Sequence, residues 1–143
     1  MRERTPRPNA TDTVPHRTTS LAVLLVDPYE DERQLFAECL AAMGFTVTAV
    51  ACHDDADHAL SGAAPNAVVL RSWSLTTDSE AVTIARTLRG ASSTRTVPIV
   101  MLTTDSVADR QIAFAAGCSS VLLLPVLPDD LAAAIYTLVH PAA

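Results

Sequence analysis

Four short, nearly continuous apolar runs punctuate this chain: Leu21 to Val26, Ala67 to Leu70, Val97 to Leu102 and Val121 to Leu124. Runs of that length, rich in Val, Leu and Ile, read as strands buried on both faces. A fifth segment, Phe45 to Ala51, alternates enough to be a strand. The intervening segments carry helical spacing. Glu30 to Met43 places Leu35, Phe36, Cys39, Leu40 and Met43 along an apolar stripe, with acids in its first turn and Gly44 as its stop. Asp54 to Leu60 forms a shorter helix, ended by Ser61-Gly62. Glu80 to Arg89 packs through Ala81, Ile84, Ala85 and Leu88, and Ser106 to Ala116 through Val107, Ile112 and Ala115. Pro128-Asp129-Asp130 opens a last helix to Val139, proline and acids being a good N-terminal signal. Strand and helix thus alternate five times. That order implies an α/β domain with a doubly wound parallel sheet covered on both faces.

Residues 21–140 form this domain, which suits a chain of 143 residues. Residues 1–20 hold three prolines and no periodicity and read as a disordered leader; 141–143 are a short C-terminal tail. No apolar run reaches membrane-spanning length and the N-terminus has no hydrophobic signal segment, so no membrane is expected. The formal charge is −6 and every basic residue is arginine. Four of those arginines lie in the leader, leaving an acidic body that argues against nucleic acid as a partner. Three cysteines without metal-ligand spacing suggest reduced thiols and a cytoplasmic location, with Cys39 packed in the core. His16, His53, His58 and His140 are scattered and read as surface histidines.

Several landmarks in their order resemble the receiver domains of bacterial two-component signalling. LAVLLVDPYEDERQLFAECLAAMGF resembles the family's first strand, acid site and first helix. PNAVVL resembles the approach to its third strand, TVPIVMLTTDS its fourth strand, and AFAAGCSSVLLLPVLPDDLAAAI the run from its fourth helix to its fifth. The resemblance covers Leu21 to about His140. It implies a CheY-like, flavodoxin-like fold: five parallel strands in the order 2-1-3-4-5 with five helices. It also implies transfer of a phosphoryl group from a histidine kinase to an aspartate at the end of strand three. That chemistry uses a pair of acids after strand one to help hold Mg²⁺, a hydroxyl after strand four and a lysine before a proline after strand five.

This chain departs from that set. Counting from Pro65 puts Arg71 at the acceptor position, the preferred register; matching Trp73 and Leu75 puts Ser72 there. Neither is an aspartate. Asp27 stands at the first acid position as the remnant of an acidic pocket, and Pro28 at the second. Thr103 takes the switch-hydroxyl position, Leu124 replaces the lysine, and Val121 stands where the family places its aromatic switch. The expectation is therefore a stand-alone pseudo-receiver with no catalytic residue, metal or cofactor. It would act as a phosphorylation-independent interaction module, with no output domain following. Arg71 is expected to pair with Asp27 and supply permanently the charge that a metal would bring. Thr103 is expected to satisfy local backbone groups. Trp73 is either a loop packing residue or an exposed contact. Partners would be signalling proteins, such as a histidine kinase or another regulator, with a homodimer through helix four, strand five and helix five. The rivals are an atypical phosphoacceptor using Asp78 or Glu30, and a small-ligand binder at the strand ends.

Overall fold

A computed structural model of the chain describes residues 20–73, 75–104 and 107–141. The leader expected at 1–20 lies, apart from Ser20, outside the described residues. In chain order the elements are β1 (Ala22–Val26), α1 (Glu30–Ala42), β2 (Thr46–Val50), α2 (His53–Leu60), β3 (Ala67–Arg71), α3 (Glu80–Gly90), β4 (Ile99–Thr103), α4 (Val107–Ala116), β5 (Ser120–Leu123) and α5 (Pro128–Val139). The strands form one parallel sheet in the order β2-β1-β3-β4-β5. This is the doubly wound 2-1-3-4-5 architecture expected from the alternation of strand and helix.

The near-continuous runs are the inner strands. Every residue of β3 and β4 is buried, because helices cover both of their faces. On one side, Leu24, Val26, Val68, Leu70, Ile99 and Met101 pack against α2, α3 and α4. On the other, Val23, Leu25, Val69, Val100 and Leu102 pack against α1 and α5. Strand alternation deals successive residues to opposite layers. β2 lies at the sheet edge and is largely exposed, which is why it alternates in sequence.

Two amphipathic stripes differ from expectation. On α1 the buried residues are Phe36 and Leu40; Leu35 and Met43 are exposed and Cys39 is half-buried, so Cys39 is not a core thiol. On α4, of the expected packing residues Val107, Ile112 and Ala115, Ile112 packs against the core as expected, but Val107 and Ala115 are exposed and the fully buried positions are Asp109, Ala113 and Ala116. Val107 is 65% exposed. The helix is turned so that a carboxylate faces inward, and the reason lies in what that carboxylate binds, described below.

Opposite the mouth of the sheet, Gly117 ends α4 at φ +106°, and a Cβ there would lie 2.6 Å from the Arg89 Cγ. Arg89 fills that space and donates to the carbonyls of Gly117, Arg95 and Val97. It ties α3, the α3–β4 loop and the end of α4 together. Burial pushes the neighbouring Cys118 thiol up to about 11 despite the opposing pull of Arg89, so this thiol stays protonated at neutral pH.

Candidate functional site

The carboxyl ends of β1 and β3 lie side by side, Val26 in register with Leu70. The next residue on each strand is charged: Asp27 and Arg71. Val26 and Leu70 both face the α2/α3/α4 layer, so alternation carries Asp27 and Arg71 to the α1/α5 layer. Both are buried there, Asp27 at 0% exposed and Arg71 at 8%.

The expected pair between them does not form. The Arg71 Nε donates to Glu32 Oε2 at 2.7 Å, and its Nη1 donates to the Ser72 carbonyl at 2.8 Å. Glu32 lies in the first turn of α1, four residues before Phe36 and eight before Leu40. It therefore occupies the inward stripe of its helix, directly in the reach of a long side chain from β3. Asp27 sits at the root of the α1 loop with a shorter side chain, and its Oδ1 turns back to accept the Tyr29 N–H at 2.9 Å. The Asp27 carbonyl is held by Arg33 Nη1 at 2.8 Å.

The Asp27 Oδ2 has no hydrogen-bond donor facing it. Burial, and after it the neighbouring Glu32, push the Asp27 pKa up to about 7 against the opposing pull of the Tyr29 N–H and Arg71. The orphan oxygen and the raised pKa fit together once the proton is counted. With both carboxylates ionised, neither has a hydrogen to offer the other. A proton on Oδ2 gives Asp27 a hydrogen to offer and leaves the two acids with one negative charge between them.

Above this charged base lie two aromatic rings. The Arg71 guanidinium carbon is 4.7 Å from the Tyr29 ring centroid and 5.8 Å from that of Trp73. The rings meet edge to face at 6.3 Å. Trp73 is 63% exposed and Tyr29 41%. Of the two readings of Trp73, packing and exposure, each holds for part of the residue: one part of the ring covers Arg71 and the rest faces solvent. Ser72, the other candidate for the acceptor position, is half-buried and its N–H donates to the Leu102 carbonyl at 2.9 Å.

Thr103, the last residue of β4, is fully buried. Its hydroxyl does not serve local backbone as expected. It donates to Asp109 Oδ2 at 2.7 Å, and Asp109 Oδ1 accepts the Leu75 N–H at 3.2 Å. One buried carboxylate thus joins the end of β4, the first turn of α4 and the β3–α3 loop. These two bonds fix the first turn of α4 against the sheet. Thr104 adds a second tie, its hydroxyl donating to the Trp73 carbonyl. Leu124 is half-buried and packs with the α1/α5 core, its N–H donating to the Thr103 carbonyl at 2.8 Å. Asp78 and Glu30, the alternative acids, are exposed, Asp78 in the β3–α3 loop and Glu30 at the start of α1.

Mg²⁺ demands near-octahedral oxygen ligands, among them one or two carboxylates. Among the described residues Asp27 is the only carboxylate directly at the ends of β1 and β3, Pro28 brings no ligand, and Glu32 is engaged by a guanidinium that would repel the ion. Among the described residues no three His, Cys, Asp or Glu side chains converge. The residues present do not fit the metal. Among the described residues, Tyr29, Arg71 and Trp73 stack over the ends of β1 and β3. A groove of about 840 Å³ lies elsewhere, between the C-terminal ends of α1 and α5, lined by Met43, Phe45, Ala133 and Tyr136 among others.

No protein-family model and no curated relative matches the chain. Solved structures do. The signal receiver domain of a signal transduction histidine kinase from Syntrophus aciditrophicus is 20% identical, with a TM-score of 0.74 over 87% of this chain and 96% of that one. The chemotaxis response regulator CheY4 of Vibrio cholerae is 22% identical, with a TM-score of 0.74 over 83% and 98%. The receiver domain of a sensor histidine kinase from Pseudomonas aeruginosa PAO1, with magnesium coordinated in its active-site cleft, is 21% identical, with a TM-score of 0.74 over 84% and 98%. At these identities the likeness establishes the architecture, and the chain has the CheY-like fold of receiver domains.

Proposed function

We propose that this chain is a pseudo-receiver: a receiver-like module of two-component signalling that works by protein contact, without phosphorylation on aspartate and without catalysis of its own. One observation carries the reading. The strand tip where phosphoryl chemistry needs a nucleophilic carboxylate and a metal is occupied by Arg71, held by Glu32 and covered by Tyr29 and Trp73. A guanidinium cannot accept a phosphoryl group in this chemistry, and a serine hydroxyl at the neighbouring position forms no acyl phosphate. Leu124 leaves no ammonium to neutralise an incoming phosphoryl group. Thr103, whose hydroxyl would follow such a group, is committed to Asp109.

A signalling protein is the partner that suits this fold, either a histidine kinase or another regulator. A second copy is the occupant proposed for the face of α4, β5 and α5, where Val107, Phe114, Leu123, Leu127 and Tyr136 are exposed. Intact mass after incubation with acetyl phosphate and Mg²⁺ tests the central point. The unmodified mass is expected; a stable phosphoryl adduct on Asp78, Glu30 or any other acid overturns it.

A further inference from the structure

We infer that the Tyr29–Trp73 pair is a preformed docking surface for a basic segment of a partner protein, one that carries arginine or lysine beside an aliphatic or proline anchor. This deepens the pseudo-receiver reading by naming the chemistry of the contact.

The pair is exposed yet held in place. Arg71 lies beneath both rings, fixed in turn by Glu32 and the Ser72 carbonyl. Asp27 holds the Tyr29 N–H, and Thr104 holds the Trp73 carbonyl. Aromatic side chains that are already immobilised lose little conformational entropy on binding, and Trp and Tyr dominate the energetics of protein interfaces. Pro28 extends the exposed surface beside Tyr29.

Charge selects the partner. In a parallel α/β domain every helix begins at the carboxyl end of the sheet, so the first-turn acids gather on the face that carries the aromatic pair. Glu30 and Asp31 of α1 adjoin Tyr29; Asp54 and Asp55 of α2, Asp78 and Glu80 before and at the start of α3, and Asp129 and Asp130 of α5 share the face, and all of these are exposed. Of the arginines nearby, Arg71 is paired with Glu32, and Arg33, which donates to the Asp27 carbonyl, is one cation against these exposed acids. Behind the pair, the wholly buried Asp27 keeps one oxygen without a donor. An acidic surface of this kind repels nucleic acid.

Trp73 is the only tryptophan, so its emission reports this surface alone. The full chain is titrated with a short synthetic peptide of alternating arginine, leucine and proline, and with its charge-reversed version carrying glutamate for arginine. A saturable emission change with the basic peptide is expected, weakened by added salt, with affinity at least about tenfold below it for the charge-reversed peptide. Trp73→Ala and Tyr29→Ala are followed by anisotropy of the labelled peptide, with circular dichroism to check the fold. Each should lower affinity about tenfold or more, and Glu30→Gln with Asp31→Asn by a smaller factor. No saturation at millimolar peptide, equal binding of the charge-reversed peptide, or unchanged affinity in folded Trp73→Ala each overturns the proposal. An emission change that depends on protein concentration without peptide assigns the surface to a second copy and also overturns it. The phosphoryl-adduct experiment reads a different property, so failure here leaves the pseudo-receiver reading standing.

Discussion

Asp27 is the residue whose chemistry the fold changes most. Its pKa lies near 7 in the folded chain against an ordinary 3.8, so the folded state holds the proton more tightly than the unfolded one. Below pH 4 both states are protonated and the carboxyl costs nothing. As pH rises to 7 the folded chain loses stability from this group, at up to about 1.4 kcal/mol per pH unit, and above 7 the loss is complete. Asn in its place keeps an oxygen for the Tyr29 N–H and offers an N–H to Glu32 at every pH. Asp27→Asn should therefore raise the melting temperature at pH 8 and leave it nearly unchanged at pH 4. A constant difference across that range would refute the shared proton. Arg71 supplies a second measurement. Its removal takes the ion pair from Glu32, one donor from the Ser72 carbonyl and the support from beneath two rings. Arg71→Ala should cost about 2–4 kcal/mol in urea unfolding, whereas Arg71→Lys, which keeps the charge but loses the flat fork, should recover only part of it.

At the scale of elements, Asp109 and Arg89 act as ties between pieces that the sheet alone does not join. Asp109 is buried and accepts from Thr103 and from Leu75. Asp109→Ala strands two buried donors and should cost about 2–3 kcal/mol. It should also speed amide hydrogen exchange in α4 and the β3–α3 loop while leaving β1 and β2 protected. A double-mutant cycle of Thr103→Val with Asp109→Ala should show a coupling of about 1 kcal/mol or more, since each removes the same bond. Additive losses would mean that the carboxylate acts only through Leu75. At the other end of α4, Gly117→Ala meets both a left-handed backbone and the Arg89 side chain, and should cost about 1–3 kcal/mol by thermal unfolding.

For the whole molecule, the exposed apolar residues of α4, β5 and α5 fall on one face while the acidic rim and the aromatic pair fall on another. Self-association through the first predicts a concentration-dependent mass in sedimentation that Phe114→Ser and Leu127→Ser reduce to the monomer. A monomer at all concentrations in the unaltered chain would remove the homodimer from the proposal. No helix among the described residues is long and apolar enough to cross a membrane.

The architecture was legible in the sequence because burial on both faces demands uninterrupted apolar strands, and β3 and β4 show them without a break. Helix boundaries followed from glycine stops and acidic first turns for the same local reason. The departures at Arg71 or Ser72, Pro28 and Leu124 could also be read along the chain, since each is a matter of residue identity at a strand end. The partners of those residues could not. Which carboxylate Arg71 would meet depended on the reach of its side chain and on Glu32 sharing a helix face with Phe36 and Leu40. The inward turn of α4 required a hydroxyl from β4 and an N–H from a loop, 6 and 34 residues away from Asp109. Sequence by itself determined the order of layers, through the pattern of burial. Only the tertiary structure decided how the mouth of the sheet is closed, because charge pairing there is set by distances across three elements that no local pattern records.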